Sequence, residues 1–246
     1  MVRIEPFDPR SASRREYEAA AAAFMERIGA RMVLAGHQNQ LDLQDLDRDL
    51  LRRWQEGARE RASGFDLGLW EGDYPEESIE EVAVMFESIN RAPRDDLDME
   101  DFHWTPQQIR EFEKIGRACG TQVWTMYARE RAGGRIAGFT DVAWNPNRPA
   151  LLEQRGTAVF GEFQNLGLGR WLKAAMMEKV LADGPEVRFV RTGNADSNAP
   201  MRKINTELGF KPHRASFVWQ VPTETVLAYL REAGLWPHRG DSSFPS

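Results

Sequence analysis

The sequence predicts an α/β fold with a central mixed, mostly antiparallel sheet and helices on both of its faces. Three strand-like runs, rich in β-branched and aromatic residues, follow one another at 122–130, 135–144 and 153–163. Alternating helix and strand patterns come after them, and this order of elements is typical of a mixed sheet. With 246 residues, 41% of them hydrophobic, the chain is long and apolar enough to bury a core.

The first part of the chain is predicted to contain two helices and two strands. Residues 14–28 form a helix, because alanine has the highest helix propensity and Gly29 can end the helix. A β-like run at 31–43 precedes a charged amphipathic helix at 45–62. A strand is predicted at 65–72, where apolar side chains alternate and glycine bounds the run.

The elements on either side of the three central strands have recognisable ends. Residues 79–89 fit a helix, and Thr105–Pro106 should cap and open another that ends near Gly120. The glycine pair at 133–134 indicates a hairpin turn. The later elements are predicted as a helix at 167–182, a strand at 187–192, a helix at 198–208, a strand at 215–221 and a helix at 223–233.

The composition excludes several classes of function. Acidic and basic residues are interspersed and the formal net charge is −6, so the sequence has no basic stripe for nucleic acid and mildly favours cationic or neutral small-molecule partners. No apolar run approaches the roughly 18 residues of a membrane helix, and the charged start of the chain is unlike a signal peptide. Cys119 is the only cysteine, which excludes an internal disulfide and a cysteine metal cluster and fits a cytoplasmic location.

The segment QNLGLGRWLKAAMM, residues 164–177, places two glycines where a helix is predicted to begin. The first turn of a helix has backbone N–H groups without partners, and the helix dipole adds positive potential, so phosphate binds there readily. Gly167 and Gly169 would let a phosphate approach the backbone, and Arg170 would add charge. The helix should be anchored on the sheet by an apolar face made of Leu168, Trp171, Leu172, Ala175, Met176 and Val180.

The glycine pair alone does not identify a ligand. The Rossmann pattern needs a third glycine, and the P-loop needs Gly-Lys-Ser or Gly-Lys-Thr; the sequence has neither. Glycines at a tight turn between a strand and a helix are also common where nothing binds.

A second motif, residues 194–210 (NADSNAPMRKINTELGF), makes the sequence resemble the GNAT superfamily of acyl-CoA-dependent N-acetyltransferases. The pyrophosphate loop of that family reads Gln/Arg-x-x-Gly-x-Gly/Ala, which Gln164, Gly167 and Gly169 match. The resemblance covers residues 65–222. In the family's next helix, Asn-x-x-Ala-x-x-apolar-Tyr-x-x-Leu-Gly-Phe, the matching residues are Asn198, Ile204, Leu208, Gly209 and Phe210.

The resemblance implies an acyl-CoA site along the fourth strand of the domain, where the fourth and fifth strands separate. Backbone groups of Thr157, Ala158 and Val159 would bind the pantetheine arm, and an N–H near Val159 would polarise the thioester carbonyl. Asn198 would touch the cofactor from the facing helix. The pyrophosphate would be held by the loop residues Gln164, Asn165, Leu166, Gly167, Leu168, Gly169 and Arg170.

Catalysis in this family is a direct attack by a neutral amine, and the sequence departs from the family at one catalytic position. The usual proton donor to the leaving thiolate is a tyrosine, and Asn205 stands in its place. A thiol has a pKa near 8.5, so the thiolate can leave without an acid, at a cost of about 10²–10⁴ in rate. Three alternatives stay open: the chain is a slow enzyme, uses another acid, or is not an enzyme.

The base that deprotonates the amine has several candidates. Glu153 and Asp141 lie on the fourth and third strands, although a charged residue there is more often simply solvated. Asn194 could orient a water molecule that relays the proton, with a plain turn residue as the alternative. His103 lies in a loop that often borders the acceptor site in the family, and it is either a base or an ordinary loop histidine. An acceptor pocket could be walled by Trp70, Trp104, Trp124 and Trp144, for which core packing is the alternative.

The two ends of the chain show an internal echo, in which Gly29 and Gly209 occupy equivalent places. We expect residues 1–44 to be the C-terminal part of a degenerate first GNAT repeat, as in tandem members of the family; coincidence is the alternative. The remaining chain is then divided into a linker helix at 45–64, the acyltransferase domain at 65–235 and a tail at 236–246. The half-repeat would pack on its own sheet or exchange with a neighbour in a homodimer.

The resemblance implies an N-acetyltransferase that moves an acetyl or short acyl group from acetyl-CoA directly to a primary amine of a small molecule or peptide. No metal, nucleic acid or membrane partner is expected. The alternatives are a catalytically weak or inactive acyl-CoA-binding module, which Asn205 favours, and a structural or interaction domain with a vestigial loop.

Overall fold

The structure, a computed structural model, describes residues 12–184 and 186–235, with side chains from residue 19 onwards. Seven strands lie in this part of the chain: β1 (Arg31–Asp42), β2 (Phe65–Glu71), β3 (Gln122–Glu130), β4 (Ile136–Trp144), β5 (Leu151–Val159), β6 (Phe189–Ala195) and β7 (Lys211–Gln220). The same part contains seven α-helices: α1 (Ala12–Arg27), α2 (Arg48–Arg61), α3 (Ile79–Phe86), α4 (Pro106–Ala118), α5 (Leu168–Asp183), α6 (Ala199–Glu207) and α7 (Thr223–Glu232).

The strands form one mixed sheet in the order β2-β3-β4-β5-β6-β1-β7. Pairing is antiparallel from β2 through β5, and β5 pairs with β6 in parallel. The strand nearest the start of the chain, β1, therefore lies between two strands near its end. Its residues run opposite to β6: the Leu43 N–H donates to the Arg188 carbonyl at 2.9 Å, and Gln40 accepts a bond from Arg191 at 2.8 Å.

The sheet and its helices confirm the predicted fold class. Alternate residues of β3 face opposite sides: Met126 belongs to one buried cluster, and Tyr127 packs against the other. The first cluster includes residues of α2 and α5, and the second includes residues of α3 and α4, so helices cover both faces of the sheet.

Local signals in the sequence place most element ends. Thr105 caps α4 with a full capping box that includes Gln108, and Gly134 has a φ of 68° in the β3–β4 turn.

Two predictions need correction. The strand predicted at 153–163 ends at Val159, because Phe163 turns into the core on a short 3₁₀ helix. The helix predicted at 79–89 is α-helical only to Phe86 and continues as a 3₁₀ helix.

The chain divides into two compact units. The described part of the smaller unit comprises residues 12–36, 94–98 and 214–235. Inside it, the Asp96 N–H donates to the Val33 carbonyl at 3.0 Å, and the Asp98 N–H donates to the Gln220 side chain at 2.9 Å. The larger unit contains residues 37–93 and 99–213, with both buried clusters and all the residues of the candidate site.

Candidate functional site

The strands β5 and β6 separate soon after they meet. Their parallel pairing covers only Leu151–Glu153 of β5 and Phe189–Arg191 of β6. From Gln154 onward, the edge of β5 that faces β6 makes no ladder with it. Backbone N–H and C=O groups at such an edge need other partners, so the split offers hydrogen bonds to an extended ligand. The segment Thr157–Val159, predicted to bind the pantetheine arm, lies on this part of β5.

A bulge in β5 coincides with the split. Thr140 pairs with Thr157 and Val142 pairs with Gln154, so two residues of β5 lie opposite Asp141 alone. The Asp141 carboxylate accepts hydrogen bonds from the Gly156 N–H and the Arg155 Nε, both at 2.6 Å. A Cβ on Gly156 would lie 2.9 Å from the Asp141 Oδ1, so the bulge requires glycine at this position.

Asp141 has a structural task in this arrangement. It is buried, and one of its oxygens binds the Gly156 N–H while the other binds the Arg155 guanidinium. Both carboxylate oxygens are thus engaged by donors of the bulge itself. The candidate base suggested by the sequence therefore holds the bulge.

The predicted loop leads into α5 with two residues in the left-handed conformation. Asn165 has a φ of 64° and Gly167 a φ of 84°. Gly167 is the N-cap of α5, and no side chain caps the helix there. The N–H groups of the first helical turn are thus left for a ligand, which is the arrangement that binds phosphate. Gln164 holds the loop against β5, because its Nε2 donates to the Val159 carbonyl at 3.3 Å.

The remaining loop residues have distinct environments. Leu168 is fully buried and Leu166 packs against the same cluster, which anchors the loop on the core. A Cβ at Gly169 would lie 3.6 Å from Ile204 and 3.7 Å from Val159, which is ordinary contact. Alanine would therefore fit at this position, whereas a larger side chain would enter the space above the helix terminus.

Arg61 lies next to the loop, and no carboxylate of the described residues pairs with it. Its guanidinium lies between two glycines: a Cβ on Gly57 would be 3.1 Å from it and a Cβ on Gly167 would be 3.3 Å from it. The described residues supply no ion-pair partner for Arg61, whereas Arg170 binds Glu207 at 2.8 Å. The charge that the sequence assigned to Arg170 is therefore neutralised, and the pKa of Glu207 is lowered by that arginine.

Arg61 was not predicted as a site residue, because its place beside the loop depends on how α2 packs against α5. The one available signal was the spacing of Gly57 and Arg61, four residues apart on one helix face. A glycine at that spacing leaves room for the arginine side chain to lie along the helix.

Two asparagines meet at the position predicted for catalysis. The Asn205 Nδ2 donates to the Asn194 Oδ1 at 2.6 Å. Asn205 is 2% exposed, and its Oδ1 is buried without a hydrogen-bond partner in the part of the chain that the structure describes. A buried acceptor without a partner costs about 1–3 kcal/mol unless a ligand or water supplies the donor. Asn198, predicted to touch the cofactor, caps α6 by accepting a bond from the Met201 N–H at 3.3 Å.

The other two base candidates lie in polar surroundings. Glu153 is exposed, at the last paired position of β5, and binds Arg148 at 3.3 Å. His103 has 80% of its side chain exposed and lies 3.4 Å from Glu87. The structure brings neither of them to the asparagine pair by any hydrogen bond among the described residues.

The four tryptophans proposed as pocket walls do not share one side of the sheet, so that suggestion is wrong as a set. Trp70 and Trp104 belong to the aromatic cluster under α3 and α4, where the buried Nε1 of Trp104 has no partner. Trp124 and Trp144 pack with the opposite cluster. On the α3–α4 side, Tyr74 binds Thr125 at 2.8 Å, and burial raises the pKa of its hydroxyl, so it stays protonated at neutral pH.

None of the helices in residues 12–184 and 186–235 is both long enough and apolar enough to cross a membrane. In the same residues, no group of three or more His, Cys, Asp or Glu side chains is placed to hold a metal ion.

Comparison with known proteins gives structural relatives. No family model matches the chain, and no curated protein matches it. The fold is similar to a tandem GNAT protein from the clavulanic acid biosynthesis pathway, with 30% sequence identity and a TM-score of 0.64. That match covers 81% of this chain and 57% of the relative, so the chain spans little more than half of its length.

Two more distant structures share the fold. One is a GCN5-related N-acetyltransferase from Sphaerobacter thermophilus, with 14% identity, a TM-score of 0.57 and coverage of 82% of this chain and 55% of that one. The other is a GCN5-related glucosamine N-acetyltransferase region of a fungal multi-domain enzyme, with 15% identity, a TM-score of 0.52 and coverage of 86% of this chain and 23% of that one.

Proposed function

The chain belongs to the GNAT superfamily, and from this premise we propose that it is an N-acetyltransferase. It would move an acetyl or other short acyl group from acetyl-CoA directly to a primary amine of a small molecule or peptide. The single observation that carries this proposal is that the unpaired part of β5 ends beside the uncapped start of α5, since a Cβ on Gly169 would lie 3.7 Å from Val159. An extended thioester can lie along the first while its phosphates rest on the second.

Acyl-CoA would be held mainly by backbone groups. The free edge of β5 at Thr157–Val159 would bind the pantetheine arm, and an N–H near Val159 would polarise the thioester carbonyl. The loop from Gln164 to Arg170 would bind the pyrophosphate through N–H groups. Holding the amine against the thioester in this way supplies much of the rate.

Arg61 would add the positive charge that the loop otherwise lacks. Its guanidinium is already beside Gly167 and has no carboxylate partner among the described residues. Guanidinium groups bind phosphate oxygens with two parallel hydrogen bonds. We therefore assign Arg61 to a phosphate of CoA, in addition to the loop N–H groups.

The asparagine pair would face the reacting atoms. The orphaned Oδ1 of Asn205 can accept a hydrogen bond from the attacking amine, while Asn194 holds the Asn205 side chain in place. Glu153 would receive the proton through water, because it lies at the solvent-exposed end of the split. The thiolate would then be protonated by solvent, since no tyrosine occupies the acid position.

Calorimetric titration with acetyl-CoA tests the proposal. We expect micromolar binding by the wild-type chain and by Gly169→Ala, whose methyl group fits the available space. Gly169→Glu should abolish binding, because its carboxylate would meet the phosphates. Binding that survives Gly169→Glu would show that the loop is not the pyrophosphate site.

A second candidate function is an acyl-CoA-binding module without turnover, and Asn205 at the acid position favours it. An amine screen that measures thiol release separates the two. Binding with no release for any amine would identify the module, whereas release dependent on one amine class would identify the enzyme and its acceptor.

The assignment of 1–44 to a degenerate first repeat, of 45–64 to a linker helix and of 65–235 to the acyltransferase domain stays a proposal. The similarity to a tandem GNAT protein supports it. A homodimer and a cytoplasmic location are further proposals, the second resting on Cys119 as the only cysteine.

A further inference from the structure

Lys173 is the largest of the fully buried side chains, with 1% of its surface exposed. It lies on α5 among apolar residues of the main core, although its charge would place it on a solvated face. No carboxylate of the described residues binds it: the Lys173 Nζ donates to the Gln154 Oε1 at 3.1 Å and lies 5.8 Å from the Phe210 ring centre. A buried ammonium without a counter-charge is strongly disfavoured, so burial shifts this amine toward its neutral form.

The bond to Gln154 links Lys173 to the bulge. The Gln154 Nε2 donates to the Thr140 Oγ1 at 2.8 Å and lies 3.3 Å from the Thr157 Oγ1. The two threonine hydroxyls bind each other at 2.7 Å. The amide of Gln154 therefore contacts both strands at the position where β5 gains its extra residue, and Lys173 fixes the orientation of that amide.

This network lies where β5 leaves β6. Gln154 is the first residue of β5 after the paired stretch, and Thr157 begins the segment assigned to the pantetheine arm. A change in the Gln154 side chain would thus be transmitted to the free edge of β5 through one hydrogen bond. The proposed mechanism of acyl transfer assigns no role to Lys173.

We propose that Lys173 is a positioning residue: as a neutral amine it holds Gln154, and through Gln154 it fixes the cleft edge of β5, so that acyl-CoA binds well only to the uncharged form. This inference rests on the proposed function. Protonation would require water around the Nζ, and the packing of α5 on β5 would have to open to admit it.

The charged groups of the surrounding elements are paired elsewhere. Asp141 of β4 binds Arg155 of β5, and on α5 itself Arg170 binds Glu207 of α6. Lys179, six residues further along α5, binds Glu71 of β2 and also Asp183. The start of β7 carries Lys211, which binds Asp45, and Arg191 of β6 binds Gln40. Burial alone lowers the pKa of Lys173, to about 7.

The test is calorimetry with acetyl-CoA between pH 6 and pH 8.5 on three full-length chains: wild type, Lys173→Met and Lys179→Met. Methionine has nearly the volume of lysine and suits a buried site, and Lys179→Met makes the same change elsewhere on α5. With half of Lys173 charged at pH 7, wild-type affinity should fall about tenfold from pH 8.5 to pH 6.

In Lys173→Met the tenfold change should disappear, and affinity at pH 8.5 should fall severalfold because Gln154 loses its donor. Lys179→Met should keep the wild-type pH profile. A profile that persists unchanged in Lys173→Met would overturn the proposal. If that variant fails to fold, Gln154→Glu replaces it, because a carboxylate beside Lys173 keeps the lysine charged and should also flatten the profile; an unchanged profile would again be contrary evidence.

If the wild-type chain binds no acetyl-CoA at any pH, the proposed function is wrong. The positioning role of Lys173 is then tested by a second measurement. Amide hydrogen exchange over residues 154–159 supplies it. Faster exchange in Lys173→Met than in Lys179→Met supports the positioning role, and equal exchange in the two variants contradicts it.

Discussion

At the scale of single residues, Arg61 offers a direct test of the phosphate assignment. Arg61→Ala should weaken acetyl-CoA binding by at least about tenfold, because a hydrogen bond to a charged group contributes about 1.5–3 kcal/mol. Arg61→Lys should recover part of this affinity, because the charge remains but the two parallel bonds do not. The measurement is calorimetry in low and high salt, with 3′-dephospho-acetyl-CoA as a second ligand.

The second ligand separates the two phosphate positions. If Arg61 binds the 3′-phosphate, Arg61→Ala and wild type should bind the dephospho form equally. If it binds the pyrophosphate, the difference should persist with both ligands. Arg53→Ala is the matched control, since Arg53 lies on the same helix, is exposed and pairs with Asp47. If Arg61→Ala binds both ligands as tightly as wild type does, Arg61 does not contact a phosphate of the bound ligand.

Lys173 also makes a prediction about stability. Its folded-state pKa is near 7, whereas an unfolded lysine titrates near 10.4. Between these values the unfolded state binds one more proton, so stability rises with pH across this window and is independent of this residue below it. Methionine does not titrate, so the free energy of unfolding of Lys173→Met does not depend on this position's protonation. The free energy of unfolding of Lys173→Met minus that of wild type should therefore fall by about 2 kcal/mol from pH 7 to pH 9.

Denaturant unfolding of both chains at the two pH values measures this difference. Comparison with Lys173→Met removes the contribution of the other groups that titrate in this range. A constant difference between the two chains would show that Lys173 is charged in the folded protein, against both its burial and its assigned role.

At the scale of elements, the bulge in β5 depends on Gly156. Gly156→Ala would bring a methyl group within 2.9 Å of the Asp141 Oδ1 and 3.0 Å of the Phe139 ring. We expect a loss of about 1–3 kcal/mol in unfolding stability and a larger relative loss of acetyl-CoA affinity, because the cleft edge starts there. Thermal unfolding and calorimetry measure the two effects.

Gly161→Ala is the control for this prediction, since nothing lies within 4 Å of a Cβ at that position. It should leave both stability and affinity near the wild-type values. If Gly156→Ala behaves like Gly161→Ala, the bulge is not what separates β5 from β6.

Elements whose ends depend on local chemistry were predictable from sequence. Thr105 with Pro106 marks the start of α4, and Gly167 marks the start of α5. The bulge was not predictable, because it arises from the register between two strands and only Asp141 and Gly156 together reveal it. Lys173 was missed for a related reason: a charged side chain on a helix is normally assigned to the solvent face.

At the scale of the whole molecule, acetyl-CoA should stabilise the chain. A ligand that binds only the folded state adds about 2.7 kcal/mol at 100 times its Kd. We expect the melting temperature to rise with acetyl-CoA concentration for the wild type and to stay constant for Gly169→Glu. A rise for both chains would indicate binding away from the loop, and a rise for neither would favour an interaction domain.

The family was readable from two motifs and the mixed sheet from the order of the elements, but the strand order was not. A single sequence shows that β1 is a strand without showing that it lies between β6 and β7. The tryptophans were likewise grouped by residue type alone, although two of them pack on one side of the sheet and two on the other. The neighbours of a side chain in a sheet depend on which strands pair, and strand pairing depends on contacts between residues far apart in sequence.

The position of β1 has a consequence for how the protein is made. His37 binds Asp196, which lies 159 residues later in the chain, at 2.7 Å. At roughly 5–20 residues per second, the ribosome needs about 8–30 s to deliver the partner of a strand that has already emerged. During that time β1 is a nascent strand with both edges open to other chains, and its pairing waits until most of the polypeptide has been translated.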